Sequence, residues 1–167
     1  MAYRNKTYVA FDGDTDMKYY NMLKAWKSNE KISFDFYDAH SLNTARDTSL
    51  TESIKKQLRE RFDNTKLFLL LVGEKTGANR KFIPWEIDQA ISREIPIVVA
   101  NINGKRQLDN ERCPAQLRDE LAIHVSFNAA IIQYSFDHWI DNASAHRSKG
   151  DSGPYFYPAD VYERLGI

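Results

Sequence analysis

Five short apolar segments recur along the chain, and each has the length and composition of a strand. They occupy residues 7–11, 32–37, 67–72, 95–102 and 123–127. The second segment alternates apolar and polar residues, which is typical of a strand near the edge of a sheet. The third segment is continuously apolar, so we expect it to be a central strand that is buried on both faces.

Between these segments, apolar residues recur at the three- and four-residue spacing of an amphipathic helix. The predicted helical faces are Tyr19, Leu23 and Trp26; Leu50, Ile54, Leu58 and Phe62; Ile83, Ile87, Ala90 and Ile91; and Ile132, Phe136, Trp139 and Ile140. Ser49 and Glu52 form a capping box before the second helix, and residues 113–121 predict a further short helix.

The alternation of strand and helix predicts the α/β class, with a parallel five-stranded sheet covered by helices on both faces. We expect a single three-layer domain over residues 1–167 with the flavodoxin-like strand order 2-1-3-4-5. Residues 147–167 form a C-terminal extension that is too aromatic for a free tail, so we expect it to dock on the body of the domain.

Charge and cysteine content exclude several classes of protein. The chain has 23 lysines and arginines against 23 aspartates and glutamates, so it lacks the basic excess of a nucleic-acid binder. Cys113 is the sole cysteine, which indicates a reducing compartment. The sequence shows no signal-peptide core and no segment long enough to span a membrane. We therefore expect a cytoplasmic protein with no nucleic-acid or membrane partner.

Residues 66–94 carry the strongest functional signal. The central strand ends at Gly73, a polar loop follows, and Pro84 is suited to the first turn of a helix. Glu86 lies in that first turn, where the helix dipole favours a carboxylate. The strand and helix thus bring one acid to the carboxyl edge of the sheet, where α/β domains bind ligands. The first strand ends in a second acidic stretch, the turn 12–16.

Three doubly wound families fit these loops poorly. A phospho-accepting receiver domain needs an aspartate after the third strand, where this chain has Val72 and Gly73. A flavodoxin needs a phosphate loop after the first strand, but Asp12 and Asp14 would repel a phosphate. A dinucleotide-binding Rossmann domain needs G-x-G-x-x-G at the same place, and Gly13 stands there alone.

The chain resembles the TIR-like family, in particular the TIR-like proteins of the Thoeris antiphage systems, over about residues 6–103. The stretch Phe82-Ile83-Pro84-Trp85-Glu86 is similar to the W-x-x-x-E pattern of catalytic TIR domains, with Phe82 in the tryptophan position. Asp38 and the long loop after it resemble the end of the family's second strand and its BB loop. Asp16 matches the family's acid after the first strand, whereas Phe11-Asp12 departs from its small hydroxyl residue.

This resemblance implies an enzyme that cleaves the nicotinamide–ribose bond of NAD, with NAD as substrate and neither a cofactor nor a metal. Glu86 would be the catalytic residue, because its carboxylate would stabilise a ribosyl cation. Phe82 or Trp85 would stack on nicotinamide. The remaining predicted substrate-binding residues are Phe11, Asp12, Asp16, Asp38 and Arg46.

The two acidic regions should lie close together in this arrangement. We expect residues 12–16 to face residues 82–86, and the neighbouring acids to raise one another's pKa. The phosphates would avoid the acidic turn and lie against backbone amides of residues 73–79 or against Arg46.

In a Thoeris system the product would be an ADP-ribose-type signalling nucleotide. The resemblance implies a phage-derived trigger, a downstream effector and a homo-oligomer as partners. The alternative is a non-catalytic TIR-like module that acts by self-association or by docking to a partner. On that interpretation Glu86 is a first-turn helix acid, Phe82 and Trp85 belong to the core, and residues 12–16 only cap a helix.

Overall fold

The described residues form a sheet of six strands. The computed structural model describes residues 6–31, 35–37 and 51–167, with side chains described throughout except in residues 35–37. The strands are β1 (Lys6–Ala10), β2 (Asp35–Tyr37), β3 (Leu67–Val72), β4 (Ile97–Asn101), β5 (Ala122–Ser126) and β6 (Pro154–Phe156). The predicted parallel α/β architecture is confirmed, because every neighbouring pair of these strands is parallel.

The strand order is β2-β1-β3-β4-β5-β6, so the first five strands follow the expected order 2-1-3-4-5. Tyr8 of β1 pairs with Phe68 of β3, and this pairing makes the first and third strands neighbours. The structure adds a sixth strand to the five that were expected. The C-terminal segment supplies β6, which pairs with β5 and puts Phe156 opposite His124.

Helices connect the strands across both faces of the sheet. The described helices are α1 (Met17–Lys27), α2 (Glu52–Asp63), α3 (Ile83–Ser92), α4 (Ala129–Ser148) and α5 (Ala159–Arg164). Two short 3₁₀ turns lie at Thr76–Ala78 and Ala115–Leu117, so the helix expected over residues 113–121 is a single turn. None of the described helices combines the length and apolarity needed to cross a bilayer.

The starts of α1 and α2 are capped differently. The N-cap of α2 is Thr51, whose hydroxyl accepts a hydrogen bond from the Ile54 amide at 3.4 Å. Ser49, the expected cap, lies outside the described residues. The N-cap of α1 is Asp16, and its side chain makes no capping hydrogen bond. The acids of the turn 12–16 are therefore available for contacts other than capping.

The central strand divides the interior into two apolar layers. Phe68, Leu70 and Val72 of β3 face a layer that contains the buried side chains of α2 and α3. Leu67, Leu69 and Leu71 face the opposite layer, which contains those of α1, α4 and α5. All six residues of β3 are buried. Full burial of one such side chain stabilises the fold by about 1.5–3 kcal/mol, so this strand firmly positions the loop that follows it.

Candidate functional site

A cleft lies at the carboxyl ends of β1 and β3, where the two strands are neighbours. Its volume is about 460 Å³. It is lined by residues of the two loops, Asp12, Asp14, Thr15, Lys75, Ala78, Asn79, Arg80 and Lys81. The turn 12–16 and the loop after β3 therefore meet. The loop contributes residues 75–81 to the cleft, and residues 82–86, which we expected to face the turn, do not line it.

The walls of the cleft carry opposite charges. Asp12 and Asp14 form an acidic wall on the β1 side, and Lys75, Arg80 and Lys81 form a basic wall on the β3 side. A cleft of this kind suits a ligand that has an anionic part and a part rich in hydroxyl groups or positive charge.

Hydrogen bonds hold the Asp12 side chain in place in the acidic wall. Its Oδ1 accepts hydrogen bonds from the amides of Asp14 at 3.0 Å and Thr15 at 3.2 Å. Its Oδ2 accepts a bond from the side-chain amide of Asn79 at 3.2 Å, which ties the two walls together. Donors of this kind stabilise a carboxylate that has little contact with water. Asp12 is 7% exposed and still borders the cleft.

Asp16 lies behind the cleft, packed against the start of the loop after β3. A Cβ atom added at Gly73 would lie 2.4 Å from Oδ2 of Asp16, so only glycine leaves room for this carboxyl. Burial, followed by the charge of Asp12, raises the pKa of Asp16 to about 6. The charge of Asp12 thus adds to the effect of burial on the pKa of Asp16.

Glu86 is sealed inside the protein, on the same side of the sheet as α2. Its side chain lies in the first turn of α3 and the residue is 1% exposed. Burial raises the pKa of the carboxyl to about 7, while the hydrogen-bonding influence of Tyr8 acts in the opposite direction. The expected cause, repulsion by the acids of the turn 12–16, does not act on Glu86.

Tyr8 is the polar neighbour of Glu86. Burial and then the negative charge of Glu86 raise the pKa of the Tyr8 hydroxyl well above its ordinary value. The contact falls short of a closed hydrogen bond, because Tyr8 Oη and Glu86 Oε2 are both buried without a hydrogen-bond partner.

The predicted aromatic residues are built into the two apolar layers. Phe82 is 7% exposed in the same layer as Tyr8, and Trp85 packs against that layer with its ring 6.2 Å from Phe62. Phe11 lies in the opposite layer, where it stacks on Tyr20 at 4.6 Å. The structure therefore does not bring Phe11 together with Phe82 and Glu86.

Two predicted residues, Asp38 and Arg46, lie outside the described residues and stay predictions. Sequence reasoning missed the basic wall and Tyr8. The cations were visible in the sequence after Gly73, but nothing in their spacing indicated that they face the acidic turn. A tyrosine inside an apolar strand has the pattern of an ordinary core residue.

The described residues contain no group of three or more histidines, cysteines, aspartates or glutamates arranged to hold a metal ion. The described part of the site offers carboxyl groups, amides and cations.

These features define a class of protein, a doubly wound α/β domain of TIR-like topology with a ligand-sized cleft between the loops after its first and third strands. The family model described as "Thoeris protein ThsB, TIR-like domain" matches residues 8–107, more than half of the chain. The chain belongs to this family. The match includes both walls of the cleft and Glu86. No curated protein matches the chain.

Proposed function

We propose that this protein cleaves the nicotinamide–ribose bond of NAD and produces an ADP-ribose-type nucleotide used as a signal in antiphage defence. The observation that supports this most is the two-walled cleft at the switch point of a TIR-like sheet. The pyrophosphate of NAD would bind the basic wall, and ribose hydroxyls would donate to Asp12 and Asp14.

Glu86 is our proposed catalytic acid. Residues 79–81 line the cleft and α3 begins at Ile83, so Glu86 lies within about one helical turn of the basic wall. A carboxylate there would stabilise the ribosyl cation that forms as nicotinamide leaves.

Burial of Glu86 limits this reaction to a rearranged form of the protein. The segment 79–82, between the 3₁₀ turn and α3, has no regular secondary structure. We propose that this segment moves when the trigger or a second protomer binds, and that the movement joins the cleft to the carboxyl of Glu86. The closed form would then release little nicotinamide.

The test is nicotinamide release, measured with and without lysate from phage-infected cells, for the parent protein and for Glu86→Gln. We expect triggered release by the parent and a loss of at least about 100-fold in the variant, because an essential charge-stabilising group is removed. Asp88→Asn is the matched control, since Asp88 is an exposed acid of the same helix. Triggered release that survives Glu86→Gln would overturn the proposed role of Glu86.

A non-catalytic interaction module is the second candidate function. It is favoured by the sealed position of Glu86 and by β6, an edge strand on which Phe156 is 52% exposed. Titration with NAD followed by thermal unfolding separates the two candidates. Saturable stabilisation that Asp12→Ala abolishes supports the enzyme. Concentration-dependent oligomers without NAD binding, measured by sedimentation, support the module.

A further inference from the structure

The side chain of Arg80 folds back onto its own loop. Its Nη1 donates hydrogen bonds to the backbone oxygens of Gly77 at 2.8 Å and Asn79 at 3.1 Å. Both bonds come from the same end of the guanidinium group, and they restrict a side chain that would otherwise sample many rotamers. The cation therefore borders the cleft in a defined orientation, although the residue is exposed.

The opposite edge of this guanidinium group is left for a ligand. Within the part of the chain that the structure describes, no group accepts a hydrogen bond from Nε or Nη2 of Arg80. The N–H groups of Nε and Nη2 point the same way in the plane of the guanidinium, and they match two oxygens of one phosphate group. A lysine ammonium is a point charge and offers no such fork.

The loop that supplies the two carbonyl oxygens is itself held on both sides. Asn79 donates from its side-chain amide to Oδ2 of Asp12 at 3.2 Å, and its Oδ1 accepts from the backbone amide of Lys81 at 3.0 Å. A carboxylate accepts and a backbone N–H donates, so a side-chain amide is suited to both partners. A Cβ atom added at Gly77 would lie 2.8 Å from the backbone oxygen of Arg112, so the loop packs closely on the segment after β4. The surrounding fold thus fixes both carbonyl anchors of the guanidinium group.

The position of the fork limits the chemistry of its ligand. The side chain of Asn79 reaches the acidic wall, and Arg80 is the next residue, so an anion on the fork would lie beside Asp12 and Asp14. A free phosphate would be repelled by those acids, because like charges would face each other. A ribose attached to the phosphate would instead present hydroxyl donors to the carboxylates. The cleft is therefore better suited to a ribose phosphate than to either part alone.

We propose that Arg80 is the specificity-determining residue of the cleft: the Nε and Nη2 edge of its guanidinium binds two oxygens of one phosphate, and the neighbouring acids bind hydroxyl groups of the attached ribose. The ligand class is a nucleotide that contains a ribose phosphate unit. This inference rests on the proposed function, in which NAD occupies the same cleft. Binding of the unit forms and breaks no covalent bond.

The experiment is isothermal titration calorimetry of the full chain with ADP-ribose, with adenosine, which lacks phosphate, and with inorganic pyrophosphate, which lacks ribose. We expect ADP-ribose to bind at least about tenfold more tightly than either of the other two. Arg80→Lys keeps the positive charge and removes the fork, so it should weaken ADP-ribose binding by about tenfold. Arg164→Lys is the matched control, because Arg164 is an exposed arginine of α5. Undetectable ADP-ribose binding, or equal effects of the two substitutions, would overturn the proposal.

The ¹⁵N NMR signal of the Arg80 Nε group gives a second readout, assigned by its loss in Arg80→Lys. ADP-ribose should shift this signal, and an unchanged signal at saturating ADP-ribose would contradict a contact with the fork. If ADP-ribose binds through Arg80 while no trigger releases nicotinamide, the proposed function fails and the ribose phosphate site stands. If nicotinamide is released while Arg80→Lys binds ADP-ribose as the parent does, the assignment of Arg80 fails and the proposed function stands.

Discussion

Asp12 and Glu86 are both buried carboxyl groups near the same edge of the sheet, yet their surroundings differ. Asp12 borders the cleft and accepts hydrogen bonds from two backbone amides and from Asn79. Glu86 lies in an apolar layer with Tyr8 as its polar neighbour, and its pKa is raised to about 7. Burial therefore raises the pKa of Glu86, whereas the Asp12 carboxyl is held at the edge of the cleft by three hydrogen-bond donors.

The largest change in folding stability should come from Glu86→Gln at alkaline pH. The folded-state pKa of Glu86 is raised from 4.5 to about 7, so the folded protein binds its proton more tightly than the unfolded chain. Stability from this group is full below pH 4.5 and is lost as pH rises through 7. A shift of this size corresponds to at most about 3 kcal/mol.

Urea unfolding at pH 4 and pH 8 tests this effect. Glu86→Gln should be more stable than the parent at pH 8, and the difference should disappear at pH 4. Asp16 also has a raised pKa but is present in both proteins, so its contribution cancels. A difference that is the same at both pH values would show that Glu86 is not a strained, buried carboxylate at pH 8.

Gly73→Ala should give the next largest effect. The new Cβ would overlap the Asp16 carboxyl, so we expect a loss of about 1–3 kcal/mol in the free energy of unfolding. Asp16→Ala creates the missing space, and the double variant Gly73→Ala with Asp16→Ala should recover most of that loss. Additive losses in this double-mutant cycle would contradict the packing of Asp16 against Gly73.

Asp12→Asn should change stability in the opposite direction to Glu86→Gln. Removing the charge weakens two hydrogen bonds from backbone amides and can place an amide group against the Asn79 donor. We expect a loss of about 1–2 kcal/mol at pH 8, where Glu86→Gln gains. Thermal or urea unfolding of both variants in the same buffer measures the two changes in stability. Changes of the same sign would remove the distinction drawn between the two carboxyl groups.

The smallest effect on stability should come from a substitution in the basic wall. Lys81→Gln should leave stability within about 0.5 kcal/mol, because the side chain is exposed. It should weaken NAD binding by about two- to five-fold at low salt, and the difference should fade as salt is added. Lys149→Gln, an exposed lysine after α4, is the control for general charge. If Lys81→Gln and Lys149→Gln weaken NAD binding equally in isothermal titration calorimetry, the phosphates do not bind to this wall.

The fold was largely predictable because the apolar residues follow clear strand and helix patterns. Six consecutive apolar residues in β3 and regular helical faces leave few alternatives for the sheet and its layers. β6 escaped prediction since it has three residues and is mostly exposed. Residues 113–121 have no apolar periodicity beyond one turn, so a full helix there was an overestimate.

The site was predictable only where topology dictates it. Neighbouring strands β1 and β3 bring their loops together, which is why the turn that contains Asp12 meets the loop that contains Asn79. The direction of a side chain within a turn is not encoded in spacing. For this reason the sequence indicated the position of Glu86 in α3 but not its burial, and it gave no sign of the contact with Tyr8.

The most direct test of the proposed function is a crystal structure of the triggered protein with an NAD analogue whose nicotinamide–ribose bond cannot be cleaved. We expect the pyrophosphate between Arg80 and Lys81, and the ribose carbon that bears nicotinamide within about 4 Å of the Glu86 carboxyl. Segment 79–82 should be displaced from its position in the closed form. An analogue bound in the cleft with Glu86 still buried away from it would contradict the catalytic account.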